Sequence, residues 1–168
     1  MNPLAYTWTG DSFEIIPRFA KEADKRFVIG ERYLLDEIQE RSAATHRHYF
    51  ASVGQAWVNL REDIAHHWPT SEHLRKWCVI KAGYHDHRSI VARSKAEALR
   101  LAAFVRPMDE FAIVTVNDCV VDVFTAKSQS HRAMNRQEFA ASKEAVLAIL
   151  AQMIDTTPAK LERAGAET

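Results

Sequence analysis

From Ser42 onward, Tyr49, Phe50, Val53, Trp57, Leu60 and Ile64 recur at steps of three and four residues, a spacing that stacks them along one face of a helix. The pattern predicts a helix of about six turns, at about 42–65, with one continuous apolar stripe. Such a stripe has to be covered, either inside a monomer core or across a dimer. The helix stops before Pro69, because a proline disfavours helical geometry at the residue preceding it, Trp68.

The remaining elements are shorter. Leu4 to Trp8 and Phe13 to Ile16 are β-prone and flank Gly10-Asp11, a hairpin signal. Pro17 suits the first position of a short helix through Asp24, Phe27 to Ile29 reads as a strand ended by Gly30, and Tyr33 to Ile38 fits strand or helix equally well. Ser71 can cap a second helix through Leu74, Trp77, Cys78 and Ile80, closed by Gly83. A strand follows around Ile90-Val91. Ser94 and Glu97 have the spacing of a capping box, opening a third helix that runs to Pro107. Phe111 to Val116 and Val120 to Thr125 form a second hairpin about Asn117-Asp118. A last helix starts at Asn135, with Glu138 three residues on, and buries Phe139, Val146, Ile149, Leu150 and Met153.

These elements predict an α+β fold: small antiparallel sheets from the N-terminal and 111–125 hairpins, packed with four to five helices. A single domain is expected over 1–157, and a flexible C-terminal tail over 158–168. A chain of 168 residues can bury its own core without metals or disulfides. Cys78 and Cys119 match no zinc or redox spacing and read as reduced thiols. With no run of eighteen apolar residues and no basic, apolar leader after Met1, a cytoplasmic, non-membrane protein is expected.

Net charge is zero, with 22 Lys and Arg against 22 Asp and Glu, but its distribution is uneven. Residues 1–40 carry 5 cations and 8 anions, residues 41–100 carry 10 and 5, and residues 101–168 carry 7 and 9. The middle is the basic part and holds seven of the eight histidines, whose protonated form a nearby phosphate would favour. A surplus of that size can also be scattered around an ordinary surface. There is no Walker loop, no dinucleotide fingerprint and no Gly-x-Ser-x-Gly elbow, and only five glycines, none clustered. ATP-driven chemistry is not expected, and neither is a cofactor.

Two arrangements carry chemistry. His85-Asp86-His87 offers imidazole and carboxylate ligands for a divalent metal, and His85 and His87 would share one side of an extended strand. His46 and His48 cannot readily share a metal, because two helical steps turn about 200°. The alternative is a surface for an anionic polymer. Arg41, Arg47 and His48 stand at or near the start of the long helix, where free N–H groups and the dipole favour phosphate, and Arg75, Lys76 and Lys81 follow on the next helix. Lys127 and His131 extend the track. Tyr49, Phe50, Trp57, Trp68, Trp77 and Tyr84 are interleaved with these charges, and exposed rings among them can stack on bases. Phe50 and Trp57 share the apolar stripe and are expected in the core, whereas Trp68, Trp77 and Tyr84 are expected to be more open.

The stretch Arg41-Ser42-x-x-x-His46-Arg47-x-x-Phe50-Ala51-x-x-Gly54 resembles the Arg-Ser-x-x-Gln-Asn-Arg-x-x-Trp-Ala-x-x-Gly stretch of the NinB (Orf) recombination proteins of lambdoid phages. Trp68 to Lys76 is similar to that family's next helix entry. Arg75 to Tyr84, Ala126-Lys127-Ser128 and Met134 to Phe139 resemble a neighbouring family of uncharacterised phage and prophage proteins. Thr45-His46 stands where the Gln-Asn pair does, and the first forty residues are not alike. The resemblance implies a dimeric, non-enzymatic α+β protein that binds single-stranded DNA, cooperates with the host single-strand-binding protein and helps load a recombinase. Arg41, Ser42, Arg47, Ala51 and Gly54 match it residue by residue. A metal-dependent nuclease built on His85, Asp86 and His87, and a protein-interaction adaptor or inhibitor of phage or prophage origin, are the alternatives.

Overall fold

The computed structural model describes residues 4–35, 43–130 and 133–166, which fall into two compact units, Met1–Glu37 and Ile38–Thr168. Both sheets are small and antiparallel and seven α-helices form among the described residues, an α+β fold as expected.

In the first unit, β1 (Tyr6–Trp8) pairs with β2 (Phe13–Ile15) in the register Tyr6 to Ile15 and Trp8 to Phe13. Gly10, at φ +110°, supplies the left-handed backbone that the turn requires. Pro17 opens a 3-10 turn, Pro17–Phe19, that runs into α1 (Ala20–Arg26). The strand expected at Phe27 to Ile29 does not form. Those residues gain no ladder partner: the Val28 N–H donates to the Tyr33 hydroxyl at 2.9 Å, and Glu31 N–H to the Val28 carbonyl at 3.2 Å, closing a turn at Gly30.

The second unit opens with α2 (Ala43–Val58). The apolar stripe continues past its end, but the helix does not. At Asn59 the side-chain Nδ2 donates to the Gln55 carbonyl at 2.7 Å, beside Asn59's own backbone N–H on the same acceptor at 3.2 Å. Competition of this kind loosens a helix, and Arg61 turns extended before a one-turn helix, α3 (Glu62–Ala65). Leu60 and Ile64 still reach the core that the unbroken helix would have served.

Thr70, rather than Ser71, caps α4 (Ser71–Lys81), accepting the His73 N–H, and Gly83 at φ +89° follows the helix end. Ser94 caps α5 (Lys95–Val105) by accepting the Glu97 N–H, while the Glu97 carboxylate reaches the Arg93 N–H, so the reciprocal box is only half made. Asn135 and Glu138 make the complete box at the start of α6 (Arg136–Met153). β3 (His85–Val91), β4 (Ile113–Asn117) and β5 (Val120–Ala126) form one sheet in the order β3-β5-β4, and β4 and β5 are joined by a two-residue turn with Asp118 at φ +54°. Ala98 and Ala102 of α5 pack on Val121, flanked by Val114, Val116 and Val123.

The larger core joins Tyr49, Val53 and Ala56 of α2 to Leu74, Cys78 and Val79 of α4, and to Phe139, Val146, Leu147 and Leu150 of α6. Each side chain of this kind, fully removed from water, stabilises by about 1.5–3 kcal/mol. Leu161 joins the same core from α7 (Pro158–Ala166). The flexible tail expected there is therefore a docked helix. The apolar residues of Pro158–Ala166 are few, but one Leu and the small Gly165 suffice, because α7 lies close against α2. Among the described residues no helix is long and apolar enough to cross a membrane.

Cys78 has no exposed surface, and burial pushes its thiol up to about 12, whereas Cys119 is half-buried in the β4–β5 turn. A thiolate-directed alkylating reagent is therefore expected to count one reactive thiol in the native protein and two after unfolding. Two fast thiols in the native protein would contradict the packing of Cys78.

Candidate functional site

The capped N-terminus of α4 fixes which of its side chains point inward. Leu74, Arg75, Cys78 and Val79 face the core, whereas Lys76 is half-buried and Lys81 exposed, about 140° apart around the helix. Each of these two lysines sits over a ring: Lys76 Nζ is 5.5 Å from the centre of Phe111, and Lys81 Nζ is 5.5 Å from that of Trp77. His73 adds to the first group, its ring 4.8 Å from Phe111, and Trp68 to the second, 5.1 Å from Trp77 and edge-on. Trp57 Nε1–H donates to the Trp68 carbonyl at 2.9 Å, tying α2 to this corner. Trp68, Trp77 and Tyr84 are half-buried against the core rather than open. Phe50, expected in the core, is 40% exposed.

Arg75 does not lie on the phosphate surface expected of it. It is 6% exposed and is held by Glu72 in a two-pronged pair, Nε to Oε2 at 2.7 Å and Nη2 to Oε1 at 2.6 Å, with its guanidinium 5.2 Å from the Phe50 ring. Its Nη1 donates to Gln129 Oε1, which also accepts the Tyr49 hydroxyl at 3.1 Å. Gln129 Nε2 donates to Ser142 Oγ at 3.0 Å, and Ser142 donates to the Phe139 carbonyl at 2.9 Å. One buried network thus joins α2, α4, the segment after β5 and α6, and each of these bonds is strengthened by the low dielectric around it. Burial pushes the Tyr49 hydroxyl up to about 12, so it remains a neutral donor. Gln129 and Ser142 carry no motif that marks them in the sequence, and only the fold brings them to Arg75.

On the sheet, strand alternation puts His85, His87 and Ser89 on one side and Asp86 and Arg88 on the other, toward α5. His85 Nδ1–H donates to the Ile80 carbonyl at 2.9 Å. His87 stacks on Phe124, directly across in the register, with centroids 4.4 Å apart and planes 7° from parallel. Its Nε2–H donates to Asp122 Oδ1 at 2.8 Å, and Ser89 Oγ–H donates to the same oxygen at 2.6 Å. These two bonds, Ser89 first, hold the Asp122 carboxyl below its usual range. The set His85, Asp86 and His87 therefore does not converge: Asp86 faces away, and both imidazoles are engaged elsewhere. Among the described residues no group of three metal-binding side chains forms. Ser89 Oγ also lies 3.3 Å from His87 Nε2, so Ser89, His87 and Asp122 form one hydrogen-bonded cluster on this face of the sheet.

Of the other sequence-derived positions, Arg47 is exposed and His48 half-buried on α2, and Lys127 is exposed just beyond β5, its N–H donating to the Tyr84 carbonyl at 2.9 Å. Lys81 and Lys127 thus flank the same α4–β3 turn. Arg41 and His131 lie outside the described residues. Asp122, Ser89 and Phe124 escaped the sequence reading because β3 pairs with a strand more than thirty residues later. No family model, curated protein or solved structure matches the chain, so the likeness to the NinB proteins rests on the quoted residues alone.

Proposed function

We propose that this chain is a non-catalytic, phage-type recombination accessory protein that binds single-stranded DNA and assists recombinase loading. The observation that carries the binding is the pair of cation–ring contacts on α4, where Lys76 and Lys81 each lie 5.5 Å from the centre of an aromatic ring. Single strands are held by that combination: cations neutralise backbone phosphates and rings stack on bases. The lysines have flexible stems and can swing from ring to phosphate, and Lys127 and Arg47 add exposed charge. The recombination role, the host single-strand-binding protein and a second copy of the chain as partners come from the likeness of Arg41–Gly54 to the NinB stretch.

A fluorescence anisotropy titration with a labelled oligothymidine tests this reading. Affinity is expected to fall as salt rises, with a log–log slope of about −0.7 for each phosphate neutralised. The double variant Lys76→Glu/Lys81→Glu, checked for folding by circular dichroism, is expected to bind at least about tenfold more weakly at low salt. Wild-type affinity indifferent to salt, or a double variant that binds as well as wild type, removes the proposal.

The adaptor reading has one observation in its favour. Val28, Ile29, Leu34 and Leu35 are 53–102% exposed in the first unit, a run of apolar surface that a protein partner could cover. Absence of oligonucleotide binding at any salt concentration would favour it.

A further inference from the structure

Four of the five cations in residues 1–40 fall between Arg18 and Arg26. The net negative charge of that region hides this gathering in the sequence. Arg18, Lys21, Glu22, Lys25 and Arg26 line a cleft of about 480 Å³ in the first unit. Glu22, the one carboxylate there, is paired with Arg26 across one helical turn. Arg18, Lys21 and Lys25 are exposed and form no ion pair among the described residues. Lys21, Glu22, Lys25 and Arg26 occupy about 140° of the circumference of α1, and Asp24 points outside that arc. Lys21 and Lys25 follow one another about 6 Å apart along the axis.

The same unit carries a bare aromatic pair. Trp8 and Phe13 sit directly opposite on β1 and β2, with centroids 4.8 Å apart, and are 56% and 57% exposed. Rings that contact one another usually do so to leave water, and these two remain in it.

We infer that the first unit is a second single-strand contact, in which Arg18, Lys21 and Lys25 hold backbone phosphates and Trp8 and Phe13 stack on bases. The inference rests on the proposed single-strand binding and adds a site that the basic middle of the chain does not contain. An anionic membrane is the other partner that basic residues and tryptophan fit. A membrane-lying helix, however, needs large apolar residues on the face opposite its cations; α1 offers only Ala20 and Ala23 there, and the exposed Val28, Ile29, Leu34 and Leu35 lie beyond its end.

The test uses the full chain and the same labelled oligothymidine. Lys21→Gln/Lys25→Gln keeps helix propensity nearly unchanged. It is expected to make the salt slope shallower by about 1.4 and to weaken binding about tenfold at low salt. Trp8→Ala is expected to weaken binding at least about fivefold with the slope unchanged. If wild type binds and the lysine variant keeps its slope, the second contact is overturned while the α4 reading stands. If wild type does not bind, both fail. If the lysine variant loses binding only to vesicles of phosphatidylcholine and phosphatidylserine, the site belongs to a membrane and the inference is wrong. An unchanged affinity for Trp8→Ala overturns the stacking part.

Discussion

Arg75→Met is expected to destabilise the protein by about 3 kcal/mol, the lower end of the cost of stripping one partner from a buried ion pair, because Glu72 keeps 40% of its side chain in water and can rehydrate. For a chain of this size the thermal midpoint should fall by about 6–12 °C. The loss has two sources: Glu72 loses its partner and Gln129 loses a charged donor inside the core. Arg75→Lys should recover little, because an ammonium cannot span both Glu72 oxygens and Gln129 at once. The effect is also pH-dependent. Burial raises the Glu72 carboxyl, but hydrogen bonds and charge from Arg75 outweigh it, and the net position is below the usual glutamate range. Its contribution is therefore fully present above that range and is lost as pH falls through the lowered value, so the gap between wild type and Arg75→Met should narrow in acid. A midpoint within about 2 °C of wild type at neutral pH would contradict the network. Because Arg75 is committed inside, the folded variant should keep the salt slope of DNA binding unchanged.

Gly165→Val is expected to release α7. A Cβ at Gly165 would stand 2.7 Å from the Ser52 backbone nitrogen and 2.9 Å from Ser52 Cα, and closer still to Ser52 Oγ. The hydroxyl can rotate away, but the backbone of α2 is fixed by a helix whose neighbours Tyr49, Val53 and Ala56 are wholly buried. Alanine would regain about 1 kcal/mol of helix propensity and blur the result, whereas valine adds bulk with little such gain. Overpacking of this kind costs about 1–3 kcal/mol, and α7, as the last helix, can relieve it by undocking. The expected outcome is a midpoint lower by about 2–12 °C, with early proteolysis near Thr157-Pro158 and faster amide exchange confined to α7. Unchanged stability and an intact C-terminus would show that α7 does not pack as described.

What the sequence made legible was local. The stripe of Tyr49 and Val53 and the box of Asn135 and Glu138 depend on residues within a few positions of one another and were correctly placed. The second hairpin turns one residue later than expected, at Asp118-Cys119, because Asn117 still pairs with Val120. The break at Asn59 was not foreseen, because one side chain's choice of acceptor decides it against an uninterrupted apolar pattern. Docking of α7 also escaped notice: a polar stretch after Thr157-Pro158 reads as frayed unless the close approach of Gly165 to Ser52 is known. In the site, exposed Lys81 and Lys127 could be anticipated from charge, but the capture of Arg75 by Gln129 spans 54 residues and is invisible before folding. The cleft at Arg18 to Arg26 was masked by averaging charge over forty residues.

Whether the cations beside rings on α4 hold a single strand is decided by the salt titration of oligothymidine binding to the wild-type chain and to Lys76→Glu/Lys81→Glu. A negative slope of log affinity against log salt is expected in wild type, with at least about a tenfold loss in the double variant at low salt. No binding, a flat salt dependence, or equal affinity in the two proteins would contradict the proposal.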